Sequence, residues 1–130
     1  MDIAGYFESV KDRILTDSSV LDLKVLKEVD RSNNGHLRAR VLFTDKSVLE
    51  FSEFIEQNAN DEIRLVTYSH HWFDENGNLI RRWDNAPHFP KLQNAPYHVH
   101  IQSGETEEVA PGKPIDIFRV MDEIASIINE

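Results

Sequence analysis

Five of the six histidines of this chain fall between Tyr68 and Ile101, together with both tryptophans and the adjacent pair Arg81-Arg82. Imidazoles exchange protons near neutral pH, and a guanidinium forks onto a phosphate. His98 and His100 are one residue apart, so on a strand they share a face, and one ring can take a proton while the other gives one. With Arg82 beside them, the set matches metal-free transphosphorylation of RNA by the ribose 2′-hydroxyl. His98 and His100 are then acid and base, Arg82 stabilises the phosphorane, and His71, His88 and Asp84 orient them. Asn85 and Arg81 are candidate substrate contacts, Arg81 by stacking on or clamping a nucleotide. The bland alternative is that these histidines only hydrogen-bond a proline-rich loop.

The metal-free reading needs no cofactor. The rival chemistry is a divalent metal held by His88, His98 and His100, with Asp84 as a ligand or as the group that orients one. His98-x-His100, Glu105 and Gly112 also follow the spacing of the first cupin metal motif. Leu92 stands where that motif begins with glycine, and the later histidine of its second half is absent.

To position these residues the chain needs a sheet. Residues 2–15 carry Ile3, Tyr6, Phe7, Val10 and Ile14 at helical spacing, ending near Thr16. Val20 to Asp30 reads as a strand with a bulge at Val25-Leu26. Ser32-Asn33-Asn34-Gly35 is expected to turn through Asn-Gly, and His36 to Phe43 then alternates, with Leu37, Ala39, Val41 and Phe43 on one face. Thr44 to Ser47 turns into a strand over 48–54. A long strand over 62–73 folds back through Asn76-Gly77 into 79–84. A two-residue type I′ turn there sets Phe73 opposite Ile80, His71 opposite Arg82 and Ser69 opposite Asp84. Pro87 and Pro90 forbid a central strand, Tyr97 to Ile101 resumes one, and 104–112 reads as loop. Pro114 opens a last helix whose stripe is Ile115, Phe118, Met121, Ile124, Ala125 and Ile128. The expected fold is α+β, a single domain over 1–130: an antiparallel meander of five to six strands between an N-terminal and a C-terminal helix.

The chain has no cysteine, so no disulfide or thiolate site exists. No apolar run approaches membrane-spanning length, and a cytoplasmic protein without a membrane partner is expected. The net charge is −9. Residues 64–104 carry one net positive charge, while the segments on either side carry five net negative charges each. An acidic body repels an extended polyanion, so any anion-binding pocket is expected in the middle.

Asp84-Asn85-Ala86-Pro87-His88, followed by Pro96-Tyr97-His98-Val99-His100, resembles the TumE family, toxins of type II toxin–antitoxin modules. The likeness extends over nearly the whole chain, including Tyr68-Ser69-His70-His71-Trp72 and Leu79-Ile80 before Arg82-Trp83-Asp84. Phe89 departs from the family pattern, in which a second histidine is common. Tyr97-His98-Val99-His100 likewise replaces a run that usually reads His-His-Lys-His. The resemblance implies a small cytoplasmic toxin paired with a helix-turn-helix antitoxin. The ribonuclease reading comes from the residues, not from the family. A binding module without catalysis is the second reading, and homodimerisation is left open.

Overall fold

In the computed structural model, residues 1–85, 98–103, 106–111 and 115–129 are described, the side chains of 98, 103 and 106–111 excepted. The elements run α1 (Ile3–Leu15), β1 (Val20–Asp30), β2 (Asn34–Phe43), β3 (Val48–Gln57), β4 (Ile63–Phe73), β5 (Leu79–Asp84), β6 (His98–Ser103), β7 (Thr106–Pro111) and α2 (Ile117–Ile128). The strands form one antiparallel sheet in chain order. The expected meander between two helices is therefore present, with a further strand, β7, in the acidic stretch expected as loop. Among the described residues the strands form an open meander, with no closed barrel of the kind the cupin-like spacing requires.

Both helices are capped by aspartate. The Asp2 carboxylate accepts from the Gly5 amide at 2.8 Å, and Asp116 accepts from Arg119 at 3.0 Å. Ile3, Phe7, Val10 and Ile14 form the buried stripe of α1. In α2 the cap falls at Asp116, one turn later than a start at Pro114 requires. The buried stripe is therefore Ile117, Val120, Met121 and Ile124, while Ile115 packs against the core from outside the helix. Both stripes join the same sheet side, where Leu37, Ala39, Val41, Phe43, Leu49 and Phe51 are buried. Among the described residues no helix covers the other side of the sheet.

Two turns differ from expectation. Asn34 and Gly35 belong to β2, and the left-handed residue of the first hairpin is Ser32 (φ 65°). Gly35 serves packing instead: a Cβ there would stand 2.7 Å from Ile3 Cγ2 and 2.7 Å from the Val29 carbonyl. In the β4–β5 hairpin only Gly77 has positive φ, at 84°, and the Asp74 amide donates to the Asn78 carbonyl. This is a three-residue loop, not type I′, and it pairs Phe73 with Leu79 rather than Ile80. A bulge at Ile80 then absorbs the extra residue. His71 still faces Arg82 and Ser69 still faces Asp84. The expected bulge in β1 is also present, with Leu26 unpaired between Val25 and Lys27.

Candidate active site

The helix-free face holds the polar chemistry. Strand pairing sets His71, Arg82 and His100 side by side across β4, β5 and β6. The next row on that face is Ser52, Ser69 and Asp84, with the His98 backbone following on β6. Rows repeat because side chains two residues apart share a face and neighbouring strands lie about 4.8 Å apart. The geometry thus follows from alternation plus register.

Asp84 links the two rows. Its Oδ2 lies 3.1 Å from Arg82 Nε and 3.8 Å from His100 Nε2. The carboxylate is 2 % exposed while the Arg82 side chain is 39 % exposed. A buried acid therefore stands in ion-pair contact with a guanidinium that reaches solvent. Beside Arg82 opens a hollow of about 410 Å³ lined by His36, Arg38, Glu50, Ser52, Ser69 and His71, among others. Glu50 is shared by two cations, Arg38 Nη2 at 2.6 Å and Arg40 Nη2 at 3.3 Å.

His36, which is not among the candidates read from the sequence, lines this hollow. Its Nε2 lies 2.6 Å from Ser52 Oγ. Burial, then the charges of Lys27 and Arg38, hold its imidazole below the ordinary value. The overlooked signal was alternation: with Leu37, Ala39 and Val41 facing the core, His36 shares the face of Arg38 and Arg40.

Two candidate substrate contacts lie elsewhere. Arg81 is on the helix side, over the Trp83 ring at 5.8 Å from its centroid and paired with Glu123 at 3.5 Å. Residues adjacent on a strand point to opposite faces, so Arg81 and Arg82 cannot serve one pocket. Asn85 clamps β4: its Oδ1 accepts from the Tyr68 amide at 3.0 Å and its Nδ2 donates to the Val66 carbonyl at 2.9 Å. The side-chain amide continues the ladder where β5 ends, and this holds Asp84 against β4. His88 and the side chain of His98 lie outside the described residues, as do Glu105 and Gly112 of the cupin-like spacing. Among the described residues no three His, Asp or Glu side chains gather as metal ligands.

His70, one residue from His71, is fully buried on the opposite side. It stacks on Tyr68 with centroids 5.3 Å apart, and its Nε2 is 3.6 Å from Glu53 Oε2. Glu53 accepts the Tyr6 hydroxyl at 2.6 Å and the Ile117 amide at 2.8 Å, joining α1, β3 and the start of α2. Burial pushes the Glu53 carboxyl up to about 7. Burial, opposed by the Ile115 carbonyl, pushes the His70 imidazole down to about 3.

A family model described as Toxin TumE matches residues 10–130. The chain belongs to the TumE toxin family. No curated protein and no solved structure matches it. Membership marks this TumE-family chain as toxin-like, and a toxin implies an antitoxin partner. Among the described residues no helix is long and apolar enough to cross a membrane.

Proposed function

We propose that the helix-free face of this TumE-family toxin is a metal-independent phosphodiester-transfer site that cleaves RNA through the ribose 2′-hydroxyl. One observation supports it above the others: Arg82 stands between His71 and His100 in a single row, paired with Asp84. His71 takes the 2′-hydroxyl proton, the freed oxygen attacks phosphorus, and His100 gives a proton to the departing 5′-oxygen. The products are a 2′,3′-cyclic phosphate and a 5′-hydroxyl end. Arg82 bears the charge of the phosphorane. Asp84 Oδ2 stands 3.8 Å from His100 Nε2, an ion-pair distance, and its charge beside that ring is why His100 is given the acid role. His98, whose backbone stands opposite Asp84, is a positioning residue in this scheme. The toxin acts in the cytoplasm and is held silent by a helix-turn-helix antitoxin.

The test is growth inhibition and RNA cleavage by folded single variants. His71→Ala, His100→Ala and Arg82→Ala are each expected to lower cleavage roughly 100-fold or more. Chelator should leave the wild-type rate unchanged, and the product should carry a cyclic phosphate. Loss of activity with chelator points to the metal site on His88, His98 and His100. Loss with Ser52→Ala alone points to a serine nucleophile activated by His36. Full toxicity of all three folded variants overturns the proposal.

A further inference from the structure

The net charge of −9 is not spread evenly over the molecule. Strand pairing places Lys24, Lys27, Arg38, Arg40, Arg64 and Arg82 on the helix-free face of β1–β5. Four carboxylates share it: Asp22, Glu50, Glu56 and Asp84. Six cations against four anions leave this face two charges positive, so the rest of the chain carries eleven net negative charges. Lys24 and Lys27, exposed on the edge strand, have no carboxylate opposite them, since their partners are Arg40 and Arg38. Half-buried rings lie among the cations: Phe54 and Phe73 as well as His36 and His71, with the last edge-on to Phe73 at 5.2 Å.

Cations that follow a backbone, interleaved with rings on which bases stack, are what a single nucleic-acid strand needs. From Lys24 on β1 to Arg82 on β5 is four strand spacings, about 19 Å. At the stacked rise of ~3.4 Å per nucleotide that is roughly six nucleotides, and fewer in a stretched strand.

We infer that the helix-free face is a track for single-stranded RNA, running across the strands from Lys24 and Lys27 to Arg82. Resting on the reaction proposed above, the inference adds the substrate class: a strand several nucleotides long, gripped on one side of the reacting phosphate by residues remote from it. The acidic helix side repels the same strand and so orients the encounter.

Fluorescence anisotropy with 2′-O-methyl oligouridylates, which have no hydroxyl to attack, measures binding apart from chemistry. Affinity should climb with length to about six nucleotides and then level off. Lys24→Gln combined with Lys27→Gln should flatten the dependence of log affinity on log salt by about 1.4, at ~0.7 per lost contact. The same double variant should cleave the dinucleotide UpA at the wild-type rate, and Arg119→Gln on the helix side should change nothing. Length-independent binding, an unchanged salt slope in the double variant, equal affinity for duplex RNA, or displacement of RNA by polyglutamate overturns the track. Length-dependent binding without UpA cleavage instead removes the reaction and keeps the track. UpA cleavage with length-independent binding does the reverse.

Discussion

His70 and His71 are neighbours in sequence with opposite fates. Strand alternation sends one ring into hydrocarbon and the other to the polar face, and burial then decides what each can do with a proton. Glu53 has the complementary problem, an acid sealed under α2. Between pH 4.5, its ordinary value, and 7 the folded chain keeps a proton on Glu53 that the unfolded chain has lost. Stability due to Glu53 therefore falls as pH rises through that window. His70 works the other way between pH 3 and its ordinary 6.5, because only the unfolded chain binds that proton. The two slopes oppose each other from 4.5 to 6.5, each worth up to about 1.4 kcal/mol per pH unit. Replacing His70 by Leu leaves Glu53 alone. Thermal melts of His70→Leu should then fall steadily from pH 4.5 to 7 while the wild type stays level until about 6.5. Parallel curves would show that the buried pair does not titrate this way.

At the level of elements, α1 lies so close to β2 that only glycine fits at position 35. Gly35→Ala places a methyl against Ile3 and the Val29 carbonyl, of which the backbone atom cannot yield. A loss of about 1–3 kcal/mol is expected in urea unfolding, with the helix displaced. Asn85→Ala should release the end of β5 from β4, giving faster amide exchange at Tyr68, whose partner it removes. Much of this architecture was legible beforehand, because hydrophobic alternation and helical stripes are local signals. The Arg82–His71 pairing was legible even though the turn was misread, since the longer loop and the bulge at Ile80 offset each other. β7 was hidden because Thr106-Glu107-Glu108 is acidic, and only its pairing with β6 makes it a strand. Position 35 was misread for a related reason: Asn-Gly is a turn signal in isolation, while the need for glycine came from a helix more than twenty residues upstream.

Across the whole molecule, charge is sorted by face, and segment-by-segment counting conceals this. Each strand sends alternate residues to opposite sides, so a neutral or acidic stretch can still contribute its cations to one surface. The place of His36 in the hollow was hidden in the same way, because Ser52 is one hairpin away and Arg82 three. Despite a sequence pI of about 5.1, the protein should be retarded on heparin at pH 7 in low salt. The Lys24→Gln, Lys27→Gln variant should elute earlier, and equal elution would mean that the face does not act as a unit.

Because the strands lie in the order in which they are translated, the molecule is assembled from one edge toward the other. A ribosome delivers α1 and β1–β3 first, enough to close the first helix over a hairpin pair through local contacts. The row through Arg82 is complete only once β6 has emerged, and the amide that engages Glu53 arrives later still, with α2. On the reaction proposed above, a toxin built in this order gains its activity only when its final quarter has left the exit tunnel, which gives a co-expressed antidote time to be waiting.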